Sequence, residues 1–191
     1  MGVLSSESLE RMGFAFLGKD LMISDRASFY GASRILLGDY LRVDDFCVLS
    51  AGENGIVIGR HVHVGVYSSL IGADRISLGD FCNISSRVSI YSSSDDYSGA
   101  TMTNPTIPSE YKDVYHAEVV VGRHVIIGSG SVILPGVTLD EGVAVGALSL
   151  VRTHCAAFGI YAGSPARRIG ERRRDLLDVE QKFLANTSSS M

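Results

Sequence analysis

No apolar run in this chain of 191 residues approaches the roughly 18 needed to cross a membrane as a helix. The N-terminus has no basic stretch followed by an apolar one, so no secretory leader is visible and the cytoplasm is the expected compartment. Without a leader, the Asn186-Thr187-Ser188 glycosylation pattern carries no meaning. Excess positive charge is also missing. With 17 Lys and Arg against 21 Asp and Glu, the formal net charge is −4 and the pI near 5.7, which argues against a nucleic-acid surface. Three cysteines are an odd count without framework spacing. Cys47 and Cys82 fall among small inward-facing positions and are expected to be buried apolar thiols.

What is present is a period. Val121, Ile127, Ile133, Leu139, Val145 and Val151 recur every six residues. Four positions after each of the first five stands a small or β-branched residue: Val125, Ser131, Val137, Val143 and Ser149. Neither a helix, with period 3.6, nor an alternating strand, with period 2, repeats in sixes. A hexapeptide period marks a parallel β-helix. Three short strands and tight bends then close a triangular coil of roughly 18 residues, and coils stack about 4.8 Å apart. The same pattern runs earlier through Ile23, then Leu37, Val43 and Leu49, then Ile58, Val64 and Leu70, then Leu78, Ile84 and Ile90. Small bulges are expected at Glu53-Asn54-Gly55 and Asp74-Arg75.

The expected layout is an N-terminal helical cap over 1–20, a β-helix over 21–168, and a C-terminal helix with a frayed tail over 169–191. Leu9, Met12, Phe16 and Leu17 share one helical face of the cap. Ile169, Leu176 and Phe183, with Leu177 and Leu184, form the stripe of the second helix, and Arg172 to Arg174 read as a solvated face. The tail frays from Thr187 onward. The period stops at Tyr91 and resumes near Val119. A loop this long inside a solenoid marks a function, and Tyr97, Met102, Tyr111 and Tyr115 give it more apolar mass than a solvated linker carries.

With VGRHVIIGSGSVILPGVTL, VAVGALSLV and YAGSPARR on the page, the chain resembles the hexapeptide-repeat acyltransferases, particularly the galactoside, maltose and polysaccharide O-acetyltransferases. The resemblance covers nearly everything from about 20 to 170. It implies a left-handed β-helix, a homotrimer, and acetyl-CoA in a groove between neighbouring subunits, with no metal. By position, Gly128 and Ser129 match the segment whose N–H groups face the thioester carbonyl. Ile126 stands where the sugar acetyltransferases have a tryptophan against the pantetheine arm. Gly146, Ala147 and Ser149 match the next coil's backbone along that arm, and Pro165, Arg167 and Arg168 match the tail that meets the adenine and its phosphate. Small residues let a thin arm approach the backbone, and arginine forks suit a phosphate.

The chain departs from that pattern at one position. Where galactoside- and maltose-type enzymes place a catalytic histidine just after a coil, this sequence reads Ile90-Tyr91-Ser92-Ser93-Ser94-Asp95-Asp96. A hydroxyl acceptor loses its proton as it attacks, and a positioned base contributes typically 10²–10⁴-fold. Three readings stand: Asp95 is the base, the base is His116 or His63, or the acceptor is an amine that needs only weak assistance. Counting hexads puts His63 on the outward position that Arg42, Asn83 and Ile126 take in neighbouring coils. Asn83, Asp96 and Tyr97 are the candidates for holding the acceptor sugar. His61, His124 and His154 read as solvated corners. The expected function is acetyl transfer from acetyl-CoA to a hydroxyl or amine of a sugar or nucleotide-sugar, in surface polysaccharide assembly. The alternatives are a non-catalytic β-helix scaffold and a γ-type carbonic anhydrase, which would need three converging imidazoles on zinc.

Overall fold

Each hexad folds as a strand of two to four residues and a bend, and the computed structural model describes residues 2–188 of the resulting parallel β-solenoid. Three sheets enclose one core. The first runs from Phe16–Leu17 through Ile35–Leu37, Ile56–Ile58, Ile76–Leu78 and Val119–Val121 to Thr138–Leu139. The second carries Met22–Ile23, Arg42–Val43, His63–Val64, Asn83–Ile84, Ile126–Ile127 and Ala144–Val145, and ends in the antiparallel hairpin of Gly159–Gly163 and Ala166–Glu171. The third runs from Ser28–Tyr30 to Leu150–Val151. One aliphatic side chain per hexad points inward. Ile23, Leu37, Val43, Leu49, Val64, Leu70, Ile84, Ile90, Ile127 and Ile133 are all fully buried, each worth roughly 1.5–3 kcal/mol before chain entropy offsets most of it.

Register is kept across the long insertion. Asn83 pairs with His63 on one side and Ile126 on the other, and Ile90 with Leu70 and Ile133. The outward ladder Arg42, His63, Asn83, Ile126 expected from hexad counting is therefore present, and Ala144 extends it.

The bends use the left-handed region, and not only at glycines. Tyr40, His61, Phe81 and His124 occupy one corner with φ of 54° to 61°, a conformation that costs an L-residue roughly 1–2 kcal/mol. Stacking offsets this. The Tyr40–His61, His61–Phe81 and Phe81–His124 rings lie near-parallel with centroids 4.6, 5.0 and 5.0 Å apart. The C-terminal helix α2 (Asp175–Ser188) lies over this stack. Phe183 sits edge-on to His61 at 5.2 Å, and the Glu180 carboxylate takes His124 Nε2–H at 2.9 Å and pairs with Arg123. His61 and His124 are thus covered by a helix, contrary to the solvated reading. His154 is exposed and bonds Asp140 at 2.9 Å.

The structure corrects the ends in other ways. Helix α1 covers only Ser6–Arg11, with Ser5 Oγ capping Ser8 N–H at 3.2 Å. Gly13, at φ +70°, turns the chain so that Phe16 and Leu17 become the first solenoid strand instead of continuing the helix face. Ile169 lies in the hairpin strand, 68% exposed, because the chain pairs with Gly159–Gly163 before α2 begins. Arg172 is anchored and not solvated: its Nη1 donates to the carbonyls of His124 at 2.6 Å and Gly142 at 3.2 Å. Thr187 is still helical, its hydroxyl donating to the Phe183 carbonyl at 2.8 Å. Residues 189–191 of the expected frayed tail lie outside the described residues.

Between coils, Asp80 is held by Arg60 and Asp44 by His63, and within its own coil Asp44 is held by Arg42. Burial alone would raise both carboxyls, but these hydrogen bonds and charges leave each below its ordinary value. A depressed folded-state pKa adds stability that is complete above the unfolded value, near pH 4, and is lost as pH falls through the folded one. The melting temperature is expected to be flat from pH 7 to about 5 and to fall below about 4. Removing Asp80 by Asp80→Asn should flatten part of that acid limb in a thermal melt.

Candidate active site

Where the second sheet turns into the third, Gly128-Ser129-Gly130 and Gly146-Ala147-Leu148 form successive bends. The coils approach so closely there that a Cβ on Gly128 would lie 2.5 Å from Ala147 N. Gly128 N–H bonds the Val145 carbonyl at 2.8 Å and Gly146 N–H the Tyr161 carbonyl at 2.8 Å, which locks the ladder. The N–H groups of Ser129 and Ala147 have no protein partner among the described residues, and both residues are exposed. This corner offers two free backbone donors one coil apart, fit for a carbonyl oxygen and an amide arm. Ile126, half-buried, stands beside them on the outer face. Ser149 behaves differently. It is buried, its hydroxyl donating to the Gly146 carbonyl at 2.7 Å and receiving Gly163 N–H at 3.1 Å, so its side chain braces the corner.

The basic tail follows on the hairpin. Ser164–Pro165 is cis, and Pro165, Arg167 and Arg168 are exposed. Arg168 bonds Glu171 at 2.7 Å, while among the described residues Arg167 bonds only the Ala166 carbonyl at 3.0 Å. Adjacent strand residues point to opposite faces, so the two forks address different sides.

On the second sheet's outer face the polar ladder is bonded to itself. His63 Nε2 lies 2.8 Å from Asp44 Oδ2 and Nδ1 lies 3.0 Å from Asn83 Oδ1, while Arg42 Nε donates to Asp44 Oδ1 at 2.7 Å. Asp44 carries no signal of a site in the sequence. It is the acidic residue after Val43, and only the register shows that it meets a histidine one coil away.

The insertion leaves from the corner between the third and first sheets, which in a triangular coil lies opposite the second sheet. Ser93–Ser94 pairs antiparallel with Tyr115–His116, so the excursion is tied at its root. His116 borders a depression of about 320 Å³ with Asn54 and Asp74. Asp96 folds the loop, accepting from Ser98 N, Thr101 N and Thr101 Oγ1 at 2.7 to 3.2 Å. Those donors hold its carboxyl down at about 2. Asp95 is exposed, and its carboxylate has no partner among the described residues; Tyr97 is 94% exposed. Within one chain, Asp95 and His116 belong to the corner between the third and first sheets, His63, Asn83 and Ile126 to the outer face of the second sheet, and Ser129 to the corner between the second and third.

All three cysteines are buried and free, with burial pushing the thiols up to about 11 for Cys47 and Cys155 and about 12 for Cys82. None offers a thiolate nucleophile. Among the described residues no group of three or more His, Cys, Asp or Glu is placed to hold a metal ion, and no helix is long and apolar enough to cross a membrane.

Free donors along one corner of a triangular solenoid, with polar residues beside them, are what the resemblance to the hexapeptide-repeat acyltransferases leads one to expect. No family model matches the sequence. The chain is 51% identical over 183 residues to the dTDP-4-amino-4,6-dideoxy-D-glucose acyltransferase of Escherichia coli, covering 96% of this chain and 95% of that one. It superposes with a TM-score of 0.94 on AntD, an N-acyltransferase from Bacillus cereus in complex with dTDP and 3-hydroxybutyryl-CoA, at 41% identity over 97% of this chain and 98% of that one. Solved AntD structures include variants in which one aspartate or one serine is replaced. A maltose O-acetyltransferase from Clostridium difficile 630, at 20% identity and a TM-score of 0.60 over 88% of this chain and 74% of that one, shares the fold. The chain belongs to the family of sugar acyltransferases that includes the E. coli enzyme, and it is itself an acyltransferase.

Proposed function

We propose that the chain transfers an acetyl group from acetyl-CoA to the amino group of a nucleotide-linked sugar, as a cytoplasmic homotrimer serving surface polysaccharide assembly. The observation that carries this is the 51% identity along nearly the whole chain to an enzyme named for a dTDP-linked 4-amino sugar. The relatives' names favour the amine over the hydroxyl among the acceptors expected from sequence. The acidic residue at 95 agrees, because a neutral amine attacks a thioester without a strong base.

In the proposed reaction the acyl-CoA lies along the corner, beside Ile126, Gly128, Gly146, Ala147 and Ser149, with Pro165, Arg167 and Arg168 at its nucleotide end. The amine nitrogen attacks the thioester carbonyl. The oxygen, now anionic, takes the Ser129 N–H, a contact worth around 2.7–4 kcal/mol in comparable sites. The C–S bond breaks, an amide and a thiol result, and the proton lost by nitrogen passes by way of Asp95 to the departing sulfur. His116 lies on the same corner as Asp95, and Asn83, Asp96 and Tyr97 remain the proposed acceptor contacts. Asp95 and Ser129 belong to different corners of the triangular coil, at the two ends of the third sheet, and in the proposed homotrimer one copy supplies the excursion and a neighbour the corner.

The test is thiol release on mixing the protein with acetyl-CoA and dTDP-4-amino-4,6-dideoxyglucose. Steady turnover with this acceptor, and at least about 10²-fold less with dTDP-glucose, which carries a hydroxyl there, is expected. Turnover only with hydroxyl acceptors would reject the amine, and turnover only with longer acyl-CoAs would reject acetyl.

A further inference from the structure

The corner that carries Ser129 and Ala147 continues toward the N-terminus as a column of rings. Phe46 and Tyr67, exposed at successive bends, stack with centroids 5.0 Å apart and planes 12° from parallel. An arginine lies over each end of this pair: Arg26 over Phe46, 5.7 Å from its centroid, and Arg87 over Tyr67, 5.5 Å from its centroid. The two ends differ. Arg26 pairs with Asp45 at 3.7 Å. The exposed Arg87 guanidinium has no hydrogen bond or ion pair among the described residues. No acid stands near to take it, because the bends at 65–67, 85–87, 128–130 and 146–148 hold one charged side chain, that of Arg87. A cation held in place by a ring and left without an anion suits a ligand that brings one.

Position decides which anion. Gly130 N–H bonds the Ser86 carbonyl at 3.0 Å and Leu148 N–H the Ser129 carbonyl at 2.9 Å, so the bends of Arg87, Ser129 and Ala147 stack in that order. Successive coils are about 4.8 Å apart. In the proposed reaction the coenzyme runs from Ser129 past Ala147 toward Arg167 and Arg168, which leaves Arg87 on the other side of the thioester carbonyl. We propose that Arg87 binds the diphosphate of the nucleotide-linked acceptor, and that Tyr67 is a positioning residue that holds its guanidinium. This rests on the nucleotide-linked acceptor proposed above. A hexose with an amine at carbon 4 carries its diphosphate at carbon 1, across the ring. The amine then sits at the carbonyl while the diphosphate lies a coil away. Two N–H groups of the fork face two phosphate oxygens, and the planar guanidinium keeps one face on the Tyr67 ring while they do so.

The experiment measures the Kd of dTDP by calorimetry, and KM for dTDP-4-amino-4,6-dideoxyglucose and for acetyl-CoA. It compares the unmodified protein with Arg87→Ala, Arg87→Lys, Tyr67→Leu and Arg26→Ala, each checked for an unchanged melt. Arg87→Ala is expected to weaken dTDP binding about 10- to 100-fold, the loss of charge-assisted hydrogen bonds. The acceptor KM should rise by a similar factor with the acetyl-CoA KM unmoved. Arg87→Lys keeps the charge without the fork and should recover part of the affinity. Tyr67→Leu should weaken dTDP less than Arg87→Ala does, and Arg26→Ala should leave it unchanged. With free 4-amino-4,6-dideoxyglucose, which lacks the diphosphate, Arg87→Ala and the unmodified protein should show equal kcat/KM. An Arg87→Ala Kd for dTDP within twofold of the unmodified value overturns the inference. So does a rise in the acetyl-CoA KM in place of the acceptor KM, which would give the arginine to the coenzyme. An unmodified protein that neither binds dTDP nor acylates the nucleotide sugar, yet acylates the free sugar, rejects the nucleotide-linked acceptor itself, and that control tells the two failures apart.

Discussion

Replacing Asp95 by Ala is expected to lower kcat/KM for the amino sugar by about 10² or more while leaving the fold and acyl-CoA affinity intact. Its carboxylate makes no contact that the fold needs, so a melt should move by no more than about 0.5 kcal/mol equivalent. The loss should fall on kcat, because the group acts on the proton as the amide forms and not on binding. Asp95→Asn, which keeps shape and loses basicity, should be nearly as damaging. Asp96, by contrast, is bound to three donors of its own loop. Asp96→Ala should loosen the excursion and raise the acceptor KM, a different kinetic signature. If Asp95→Ala turned over normally, the proton would have another route and His116 would be next in line.

The second large effect concerns the corner. Ala147 is exposed, and its N–H is one of the two unpaired donors there. A thin thiol arm lies against backbone only where side chains leave room. Ala147→Trp places an indole across that track, and the KM for acetyl-CoA is expected to rise about 10²-fold or more with kcat at saturation changed less. The fold should tolerate the change, since the new ring points into solvent. Gly128 would be an inferior choice for this test. Its Cβ would meet Ala147 N at 2.5 Å, so a substitution pries the coils apart and confounds binding with stability.

Much of this was legible in the sequence because the six-residue period is a backbone property. The period assigned the inward aliphatics, the buried cysteines and the outward ladder, and the register confirms them across the insertion. What stayed hidden depends on tertiary docking. Phe16 and Leu17 fit a helical face by spacing, yet Gly13 ends the helix and strand pairing with Leu36 and Leu37 takes them over. His61 and His124 look like solvated corners until α2 covers them with Phe183 and Glu180. The Asp44–His63 contact crosses a coil of 21 residues and the His63–Asn83 contact one of 20, so these partners cannot be paired by counting six alone. Ser149 has the small side chain a cofactor track calls for, but its hydroxyl is spent on the Gly146 carbonyl and Gly163 N–H. The position after Ile90 was informative for the opposite reason. A departure from the histidine of the resembling enzymes leaves three readings open there: Asp95 as the base, His116 or His63 as the base, or an amine acceptor.

In the proposed reaction the excursion of one copy meets the corner of a neighbouring copy. Co-expressing Asp95→Ala and Ala147→Trp chains gives mixed oligomers whose thiol release reads this directly at an acetyl-CoA concentration well below the Ala147→Trp KM, where each variant alone is nearly inactive. With random mixing, half the excursions keep Asp95 and half the corners keep Ala147, so about a quarter of the sites are whole. Activity near a quarter of the unmodified level is the predicted result. No recovery above the two single variants, in oligomers shown to contain both chains, would place both groups in one chain and contradict the account.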